Sequence, residues 1–221
     1  MPSRLRDTVL VVEDHALFAE SLAIALRLEG YDVRRPNLTR DLDLLCLAER
    51  LRPRVALVDL DLGEFGSGIG LITPLTRRGT DVVVVTASVD RAEWGGCVQR
   101  GARAVLCKNA PLTTMTQTVR RLFLGLPVMG RDEREAMLEL WRRERQADDV
   151  VRDRFARLTH REREVLGELV DGHGVHDIAT TDVVSEATVR TQVKSILGKL
   201  EVSSQLAAVG LAHHVGWQHT K

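Results

Sequence analysis

The amino-acid sequence predicts an α/β fold, a doubly wound five-stranded parallel sheet, followed by a small all-α domain. Five short apolar runs alternate with helical patterns between Thr8 and Leu124, which is typical of a parallel sheet with helices on both faces. The runs are continuously apolar, as expected for strands that are buried on both faces. The last third of the chain shows helical periodicity alone.

The composition excludes several classes of protein. The 221 residues include 31 basic and 31 acidic side chains, and the resulting net charge of zero excludes a histone-like basic protein. With 44% hydrophobic residues, the chain can bury a core and is not disordered overall. Three separated cysteines and the lack of a long apolar segment favour a soluble, cytoplasmic protein without a membrane partner.

Each predicted strand of the first part is followed by a helical pattern. The predicted strands are Thr8–Val12, Tyr31–Arg34, Val55–Val58, Val82–Val85 and Ala104–Cys107. The predicted helices are Leu17–Leu28, Leu38–Leu51, a segment that ends near Arg78, Arg91–Arg100 and Thr113–Leu124. Gly30 follows the first helix and is expected to end it. Gly95 and Gly96 weaken the helical pattern of the fourth.

Polar side chains follow four of these strands at the point where each strand ends. They are Glu13 and Asp14 after the first strand, Asp59 and Asp61 after the third, Thr86 after the fourth and Lys108 after the fifth. Ligands of open parallel sheets bind at the carboxyl ends of the strands. Crowded carboxylates need a cation, and Mg²⁺ prefers their oxygens. Asp59 could then attack a phosphoryl donor, while Lys108 pairs with the phosphate and Thr86 donates a hydrogen bond to it.

The runs VLVVEDH, ALVDLDLG, VVVVTAS and AVLCKNAP resemble the receiver domain of bacterial two-component response regulators, from about Thr8 to Leu126. The resemblance implies the strand order 2-1-3-4-5, a bound Mg²⁺ and a sensor histidine kinase as phosphoryl donor. The roles that it implies are Asp59 as phosphoacceptor and metal ligand, Glu13, Asp14 and the backbone carbonyl of Asp61 as further metal ligands, Thr86 as switch hydroxyl and Lys108 as the phosphate-pairing lysine.

Three positions depart from the usual receiver pattern. Val105 stands where receivers usually have an aromatic switch residue, the usual Lys-Pro pair is absent, and the glycine-rich loop after Asp59 has no Met-Pro. One alternative is therefore a pseudo-receiver that acts without phosphorylation. A second alternative is an enzyme, because Asp59-Leu60-Asp61 also resembles the nucleophile motif of haloacid-dehalogenase-type phosphatases.

A charged segment, residues 130–154, separates the two halves. Fifteen of its 25 residues are charged, and it has no proline and no glycine after Gly130, which favours a helix. Met137, Trp141 and Val151 form an incomplete apolar stripe. A solvated spacer helix is the favoured interpretation. The alternative is a partly docked helix whose contacts change on phosphorylation.

The C-terminal third has the pattern of a helix-turn-helix. Thr159 and Glu162 are spaced as a capping box at the start of its first helix. The predicted helices lie between Thr159 and Gly172, at Val175–Thr181, from Ser185 to Leu200 and at about Ser204–His214. Residues 155–221 have a formal charge of −1, but residues 185–200 have a charge of +2, so a basic surface is confined to the third helix. Few phosphate contacts per subunit predict weak monomer binding and a need for dimerisation.

The runs LTHREREVL, DIA, SEATVRTQVKSILGKLEV and AAVGLA resemble the effector domain of the LuxR/FixJ/NarL class. The resemblance implies that the third helix enters the major groove of double-stranded DNA and that a homodimer reads two half-sites. The matching positions are Arg190, Thr191, Gln192, Lys194 and Lys199 for DNA, and Ala208 and Leu211 for the dimer contact. Asp182 stands where this class usually has Leu, which predicts a shifted turn or a weakened scaffold.

The sequence is thus identified as a member of the two-component response regulators of the NarL/FixJ family. Its expected parts are a receiver domain (1–129), a charged helical linker (130–154) and a LuxR-type DNA-binding domain (155–221). We expect a transcriptional regulator, not an enzyme, in which phosphorylation of Asp59 controls dimerisation or release of the DNA-binding domain.

Overall fold

All five predicted strands are present in the computed structural model, which describes residues 7–38 and 44–218. The described residues belong to two units, one that ends at Arg142 and one that begins at Arg143. The strands are β1 (Thr8–Val12), β2 (Asp32–Arg34), β3 (Val55–Asp59), β4 (Asp81–Thr86) and β5 (Ala104–Cys107). The helices are α1 (Ala16–Leu28), α2 (Leu44–Leu51), α3 (Ile69–Arg77), α4 (Arg91–Gln99), α5 (Leu112–Phe123), α6 (Arg131–Ala156), α7 (His160–Val170), α8 (Val175–Thr181), α9 (Glu186–Leu200) and α10 (Gln205–His214).

The strands form one parallel sheet in the order β2-β1-β3-β4-β5, which confirms the predicted fold class. Successive residues of a strand face opposite sides of the sheet, and each side has its own hydrophobic core. On one side, Val82 and Val84 belong to a core that includes residues of α2, α3 and α4. On the other side, Val83 and Val85 belong to a core with residues of α1 and α5. Because all five strands are parallel, their carboxyl ends lie at one edge of the sheet.

The predicted helix Leu38–Leu51 differs from the structure at its start. Leu38 lies in a turn, α2 begins at Leu44, and residues 39–43 of the predicted helix lie outside the described part of the chain. Gly30 follows the end of α1 with a φ angle of 94°, as expected for a glycine that ends a helix.

The first half of α6 is docked within the first unit. The side chain of Met137 is fully buried, Leu138 is 9% exposed, and both belong to the core that contains α2, α3 and α4. The favoured interpretation of the charged segment as a solvated spacer is therefore wrong for these residues. The apolar stripe is short because only one side of the helix is covered, while the residues before Met137 are exposed.

The second unit has a single hydrophobic core formed by residues of α7 to α10 and of the last turn of α6. Phe155, Leu166, Val189, Ile196 and Ala208 are all nearly or fully buried there. The capping box at the start of α7 is confirmed, because the Thr159 side chain accepts a hydrogen bond from the Glu162 backbone and the Glu162 side chain accepts one from the Thr159 backbone. None of the helices in the described ranges has the length and apolar character that a membrane span requires.

Candidate functional site

The acidic residues at the carboxyl edge of the sheet lie around Lys108. Lys108 Nζ lies 2.6 Å from Asp59 Oδ2 and 2.8 Å from Glu13 Oε1, so residues from the ends of β1, β3 and β5 are joined by two ion pairs. Asp59 is 2% exposed, in agreement with its position as the last residue of the buried strand β3. The structure thus brings together three of the residues that the sequence predicted for one site.

Glu13 and Asp59 both pair with Lys108, and the pKa values of Glu13 and Lys108 are raised in this cluster. Burial raises the pKa of Glu13, and the hydrogen bond from Lys108 only partly opposes this. For Lys108, burial lowers the pKa, but hydrogen bonds to Asp59 and Glu13 outweigh burial and raise it. The lysine therefore stays charged beside Asp59, while the surplus of carboxylates leaves room for a further cation.

Asp14 and His15 complete the cluster. Asp14 Oδ1 is buried and accepts no hydrogen bond from the described residues, although His15 Nδ1 lies 2.8 Å from it. His15 Nδ1 also lies 3.1 Å from Glu13 Oε1 and 3.3 Å from Lys108 Nζ, and the hydrogen bond to Glu13 raises the pKa of this exposed histidine. Sequence reasoning missed His15 as a site residue. Its position directly after the acidic pair was the available signal.

The glycine-rich loop after β3 is shaped by two close contacts with the site. A Cβ atom at Gly68 would lie 1.9 Å from the backbone oxygen of Asp59. Gly63 has a φ angle of 58°, and a Cβ atom there would lie 2.9 Å from Asp14 Oδ2. The Asp61 side chain accepts a hydrogen bond from the backbone of Gly63 and lies in the same loop. Glycine at these positions therefore keeps the loop close to the acidic residues.

Thr86 lies beside Asp59 in a cleft of about 390 Å³ at the edge of the sheet. Asp59, Thr86 and Lys108 line this cleft together with Asp61, the backbone segment after β4, and Glu93 of α4. The Thr86 side chain is 3% exposed, and its hydroxyl accepts a hydrogen bond of 3.0 Å from the backbone N–H of Ser88. Glu93 was not predicted, because its helix gave no sign of facing the site.

The donor set fits a divalent cation. One ligand atom each from Glu13, Asp14, His15 and Asp59 lies within 4.8 Å of the others. The three carboxylates offer the oxygen ligands that Mg²⁺ prefers, and the buried Asp14 Oδ1 has no competing hydrogen bond from the described residues. These residues can therefore hold a cation with carboxylate oxygens.

The predicted contact residues of α9 differ in exposure and in whether they already have bonding partners. Arg190 is exposed but ion-paired to Glu186 at 2.9 Å, and the Thr191 hydroxyl donates a hydrogen bond to the backbone oxygen of Ala187. Gln192 is partly buried, and its Oε1 atom accepts no hydrogen bond from the described residues. Lys194 is exposed and has no hydrogen-bond or ion-pair partner in the described part of the chain.

Lys199 belongs to a partly buried network that holds α7 and α9 together. Its Nζ atom donates to Glu162 Oε2 at 2.6 Å, and Ser195 Oγ donates to Glu162 Oε1 at 2.7 Å. Burial alone would raise the pKa of Glu162, but the bonds from Lys199, Ser195 and Thr159 lower it to about 2. The charge of Lys199 is thus neutralised inside the unit.

The turn between α8 and α9 lies where the sequence predicted it. The helix α8 ends at Thr181, and the Ser185 side chain caps α9 by accepting a hydrogen bond from the backbone of Thr188. The expected shift of this turn is therefore wrong. Asp182 is partly buried and ion-paired with Arg161 of α7, so a charged pair replaces the apolar contact.

The predicted dimer residues differ in exposure. Ala208 is fully buried in the unit's own core, and Leu211 is partly buried. This corrects the placement of Ala208, since a fully buried side chain offers no surface to a partner. Leu206, on the same helix, is 82% exposed.

Two family models match the chain and together cover both units. The model described as "Response regulator receiver domain" matches residues 9–120, slightly more than half of the chain. The chain is a response regulator. A second model, described as "Bacterial regulatory proteins, luxR family", matches residues 156–212, so this response regulator has a receiver domain followed by a LuxR-type DNA-binding domain and is a transcriptional regulator of the NarL/FixJ family.

Full-length relatives share this organisation. The response regulator is 28% identical over 210 residues to the nitrate/nitrite response regulator protein NarP of Escherichia coli K12, covering 94% of this chain and 95% of NarP. It is 28% identical over 207 residues to the transcriptional regulatory protein LnrK of Bacillus subtilis 168, covering 90% of this chain and 93% of LnrK. The phosphatase alternative has no support from these matches.

A solved structure of RcsB from Salmonella enterica serovar Typhimurium, bound to promoter P1flhDC in the presence of phosphomimetic BeF3-, is 22% identical. The TM-score is 0.50, and the match covers 93% of this chain and 97% of that chain. At this identity the similarity shows the fold.

Proposed function

We propose that this response regulator accepts a phosphoryl group on Asp59 from a sensor histidine kinase and thereby controls its binding to double-stranded DNA. The observation that supports this most is the placement of Asp59 next to Lys108, at 2.6 Å, in a cleft that Thr86 also lines. The proposed functional division is a receiver domain (1–129), a linker helix (130–154) and a DNA-binding domain (155–221).

In the proposed reaction, a carboxylate oxygen of Asp59 attacks the phosphorus of phosphohistidine or of an acyl phosphate. The new bond is the acyl phosphate of Asp59, the bond from phosphorus to the donor breaks, and the leaving group keeps its electron pair. Lys108 neutralises the negative charge of Asp59 before the reaction and pairs with a phosphate oxygen after it. The Thr86 hydroxyl donates a hydrogen bond to another phosphate oxygen.

Glu13, Asp14, Asp59 and the backbone carbonyl of Asp61 are the proposed ligands of Mg²⁺. When bound, the cation would neutralise the carboxylates and the charge on the transferred group. His15 lies near these ligands and is proposed to orient Glu13 and Asp14 through its Nδ1 atom.

For DNA binding, we propose that the exposed side of α9 enters the major groove. Lys194 is exposed without a partner among the described residues, and Arg190 can exchange Glu186 for a base or phosphate. Thr191 and Gln192, which lie between Arg190 and Lys194 in sequence, are further proposed contacts. Lys199 is expected to contribute less, because Glu162 already neutralises its charge. Dimerisation is proposed to use α10 through Leu211 and the exposed Leu206, instead of Ala208.

The direct test is phosphorylation with acetyl phosphate and Mg²⁺, followed by intact mass measurement. The wild type is expected to gain one phosphoryl group, and Asp59→Asn is expected to gain none. Asp61→Asn is the matched control, because its side chain bonds the loop while the proposed ligand is its backbone carbonyl. A wild type without mass gain under these conditions would refute the phosphoryl switch.

A specific observation favours a second candidate, a receiver that controls DNA binding without phosphorylation. Val105 replaces the usual aromatic switch residue and is 6% exposed, within the hydrophobic core. Affinity for duplex DNA, measured with and without the phosphodonor, separates the two candidates. An affinity that does not change although Asp59 has gained the phosphoryl group would favour the second.

A further inference from the structure

The two adjacent glycines of α4 form a seat for the first half of α6. A Cβ atom at Gly95 would lie 2.1 Å from the backbone oxygen of Met137 and 2.8 Å from Trp141 Cβ. A Cβ atom at Gly96 would lie 3.2 Å from Trp141 Cδ1. Any larger residue at Gly95 would collide with the backbone of α6. The two helices therefore approach each other at a distance that only glycine allows here.

The polar contacts between these helices are weak. Arg91 and Glu133 form an ion pair at 3.9 Å between half-exposed side chains, and such pairs add little stability. Arg134 Nη2 lies 3.5 Å from the backbone oxygen of Val98, at the limit of a hydrogen bond. The docking of α6 on α4 thus depends on apolar packing, by Met137 and Leu138 in the shared core and by close contact at the glycine seat, and close packing is sensitive to small movements of α4.

A chain of hydrogen bonds connects this helix to the phosphorylation site. The backbone N–H of Ser88 donates to the Thr86 hydroxyl at 3.0 Å, and the indole N–H of Trp94 donates to the backbone oxygen of Ser88 at 3.1 Å. Trp94 directly precedes Gly95 in α4. We call the contacts Thr86–Ser88–Trp94 the indole link. Both of its hydrogen bonds use the backbone of Ser88, so a movement of Thr86 acts on Trp94 without any change of side-chain rotamer at Ser88.

We propose that Trp94 is a positioning residue that couples the Asp59 site to the docking of α6, in place of the aromatic switch residue that this chain lacks at Val105. This rests on the proposed function. Movement of Thr86 toward a phosphate on Asp59 removes its hydroxyl from the Ser88 N–H. The segment between β4 and α4 then shifts, the Trp94–Ser88 bond breaks, and the glycine seat moves away from Met137 and Trp141.

Hydrogen exchange measured by mass spectrometry on the full chain tests this coupling. The backbone amides of residues 131–141 are expected to exchange about tenfold faster once acetyl phosphate and Mg²⁺ have phosphorylated Asp59, as for an element that is released from its packing. In Trp94→Phe, which keeps an apolar ring but has no N–H, Asp59 is expected to gain the phosphoryl group while these amides no longer respond to it. Ser88→Ala is the matched control, because it keeps both backbone hydrogen bonds, and it is expected to respond as the wild type does.

Gly95→Ala provides an independent second variant. Alanine favours a helix more than glycine does, so α4 is expected to remain folded, and the protection of the β-strand amides checks the fold. Because its Cβ atom would fill the seat, residues 131–141 are expected to exchange fast with and without the phosphodonor.

Three results would overturn the coupling. Unchanged or slower exchange of residues 131–141 in the phosphorylated wild type would refute it while the proposed function stands, since the mass gain on Asp59 is measured separately. A Trp94→Phe protein that responds as the wild type does would refute the role of the indole link. A wild type that gains no phosphoryl group would refute the proposed function and the coupling with it.

Discussion

The two units of this response regulator each contain a short lysine–carboxylate pair in a partly buried place, but the two pairs have different surroundings. In the first unit, Lys108 lies 2.6 Å from Asp59, and Asp14 in the same cluster has a buried oxygen without a hydrogen bond from the described residues. In the second unit, Lys199 lies 2.6 Å from Glu162, whose other oxygen is also bonded. The two Nζ–O distances are the same, but the neighbouring carboxylate oxygens differ in whether they accept hydrogen bonds.

The pKa values of the two glutamates express this difference. Burial raises the pKa of Glu13, and the hydrogen bonds from Lys108 and from the His15 backbone only partly oppose it. The pKa of Glu162 is lowered to about 2, because three residues donate hydrogen bonds to it and outweigh its burial. A fully bonded network stabilises a fold. In an incompletely bonded network, a ligand that supplies the missing interactions binds favourably. The first cluster is therefore suited to binding a ligand, and the second to stabilising the fold.

The largest expected effect concerns the supporting network. Glu162→Gln removes the charge that Lys199 faces and weakens the hydrogen bonds that Lys199 and Ser195 donate to this buried side chain, and it is expected to lower the free energy of unfolding of the second unit by roughly 2–3 kcal/mol at pH 7. Amide exchange of α7 and α9 in the full chain measures this. Glu168→Gln, on the exposed side of the same helix, is the control and is expected to change little. Equal effects of both substitutions would mean that the network does not support the fold.

The same network predicts a dependence on pH. Because the pKa of Glu162 in the folded state, about 2, is below its ordinary value of 4.5, its contribution is fully present above pH 4.5 and is lost as pH falls toward 2. The shift corresponds to about 3 kcal/mol in the wild type. Acid titration of the stability of α7 and α9 is expected to show this loss, and Glu162→Gln is expected to lack it. A wild-type profile that matches the variant in this pH range would contradict the prediction.

Part of each of the two clusters can be predicted from the sequence pattern. Continuous apolar runs specified the strands, and the polar residues that end them, such as Asp59 and Lys108, meet because parallel strands end at one edge. The capping box identified Thr159 as the start of a helix and Glu162 as a residue of its first turn. These inferences depend on neighbours in sequence or on one rule of topology, and they hold without knowledge of side-chain packing.

The remaining contacts depend on tertiary packing that no local pattern specifies. The partner of Glu162, Lys199, is 37 residues away on another helix, so its role in the scaffold depends on how α7 and α9 cross. Gly95 and Gly96 weaken the helical pattern in the sequence. The reason for glycine at these positions is the close approach of Trp141, which only the tertiary structure shows. His15 directly follows the acidic pair, but its contacts with Glu13, Asp14 and Lys108 depend on how the strand ends pack.

A smaller change in stability, of the opposite sign, is expected for the acidic cluster around Lys108. Asp14→Asn removes one of the crowded charges, so without metal the first unit is expected to become more stable by about 0.5–1 kcal/mol. Binding of Mg²⁺ is expected to weaken by roughly tenfold or more, since a ligand is lost. Thermal unfolding with and without Mg²⁺ measures both changes. Glu64→Gln, an exposed acid of the neighbouring loop, is the control, and an Asp14→Asn protein that loses stability without metal would refute the contrast between the clusters.

The smallest expected effect distinguishes the two lysines of α9. Lys194 has no ion-pair partner among the described residues, whereas the charge of Lys199 is neutralised by Glu162. Lys194→Ala is therefore expected to weaken binding to nonspecific duplex DNA a few-fold and to reduce the slope of log affinity against log salt by about one, with the stability unchanged. Arg163→Ala, an exposed cation of α7, is expected to leave the slope unchanged. If Lys194→Ala binds as the wild type does, this exposed cation of α9 does not contact phosphate, and the charge of the binding surface must come from Arg190 after it releases Glu186.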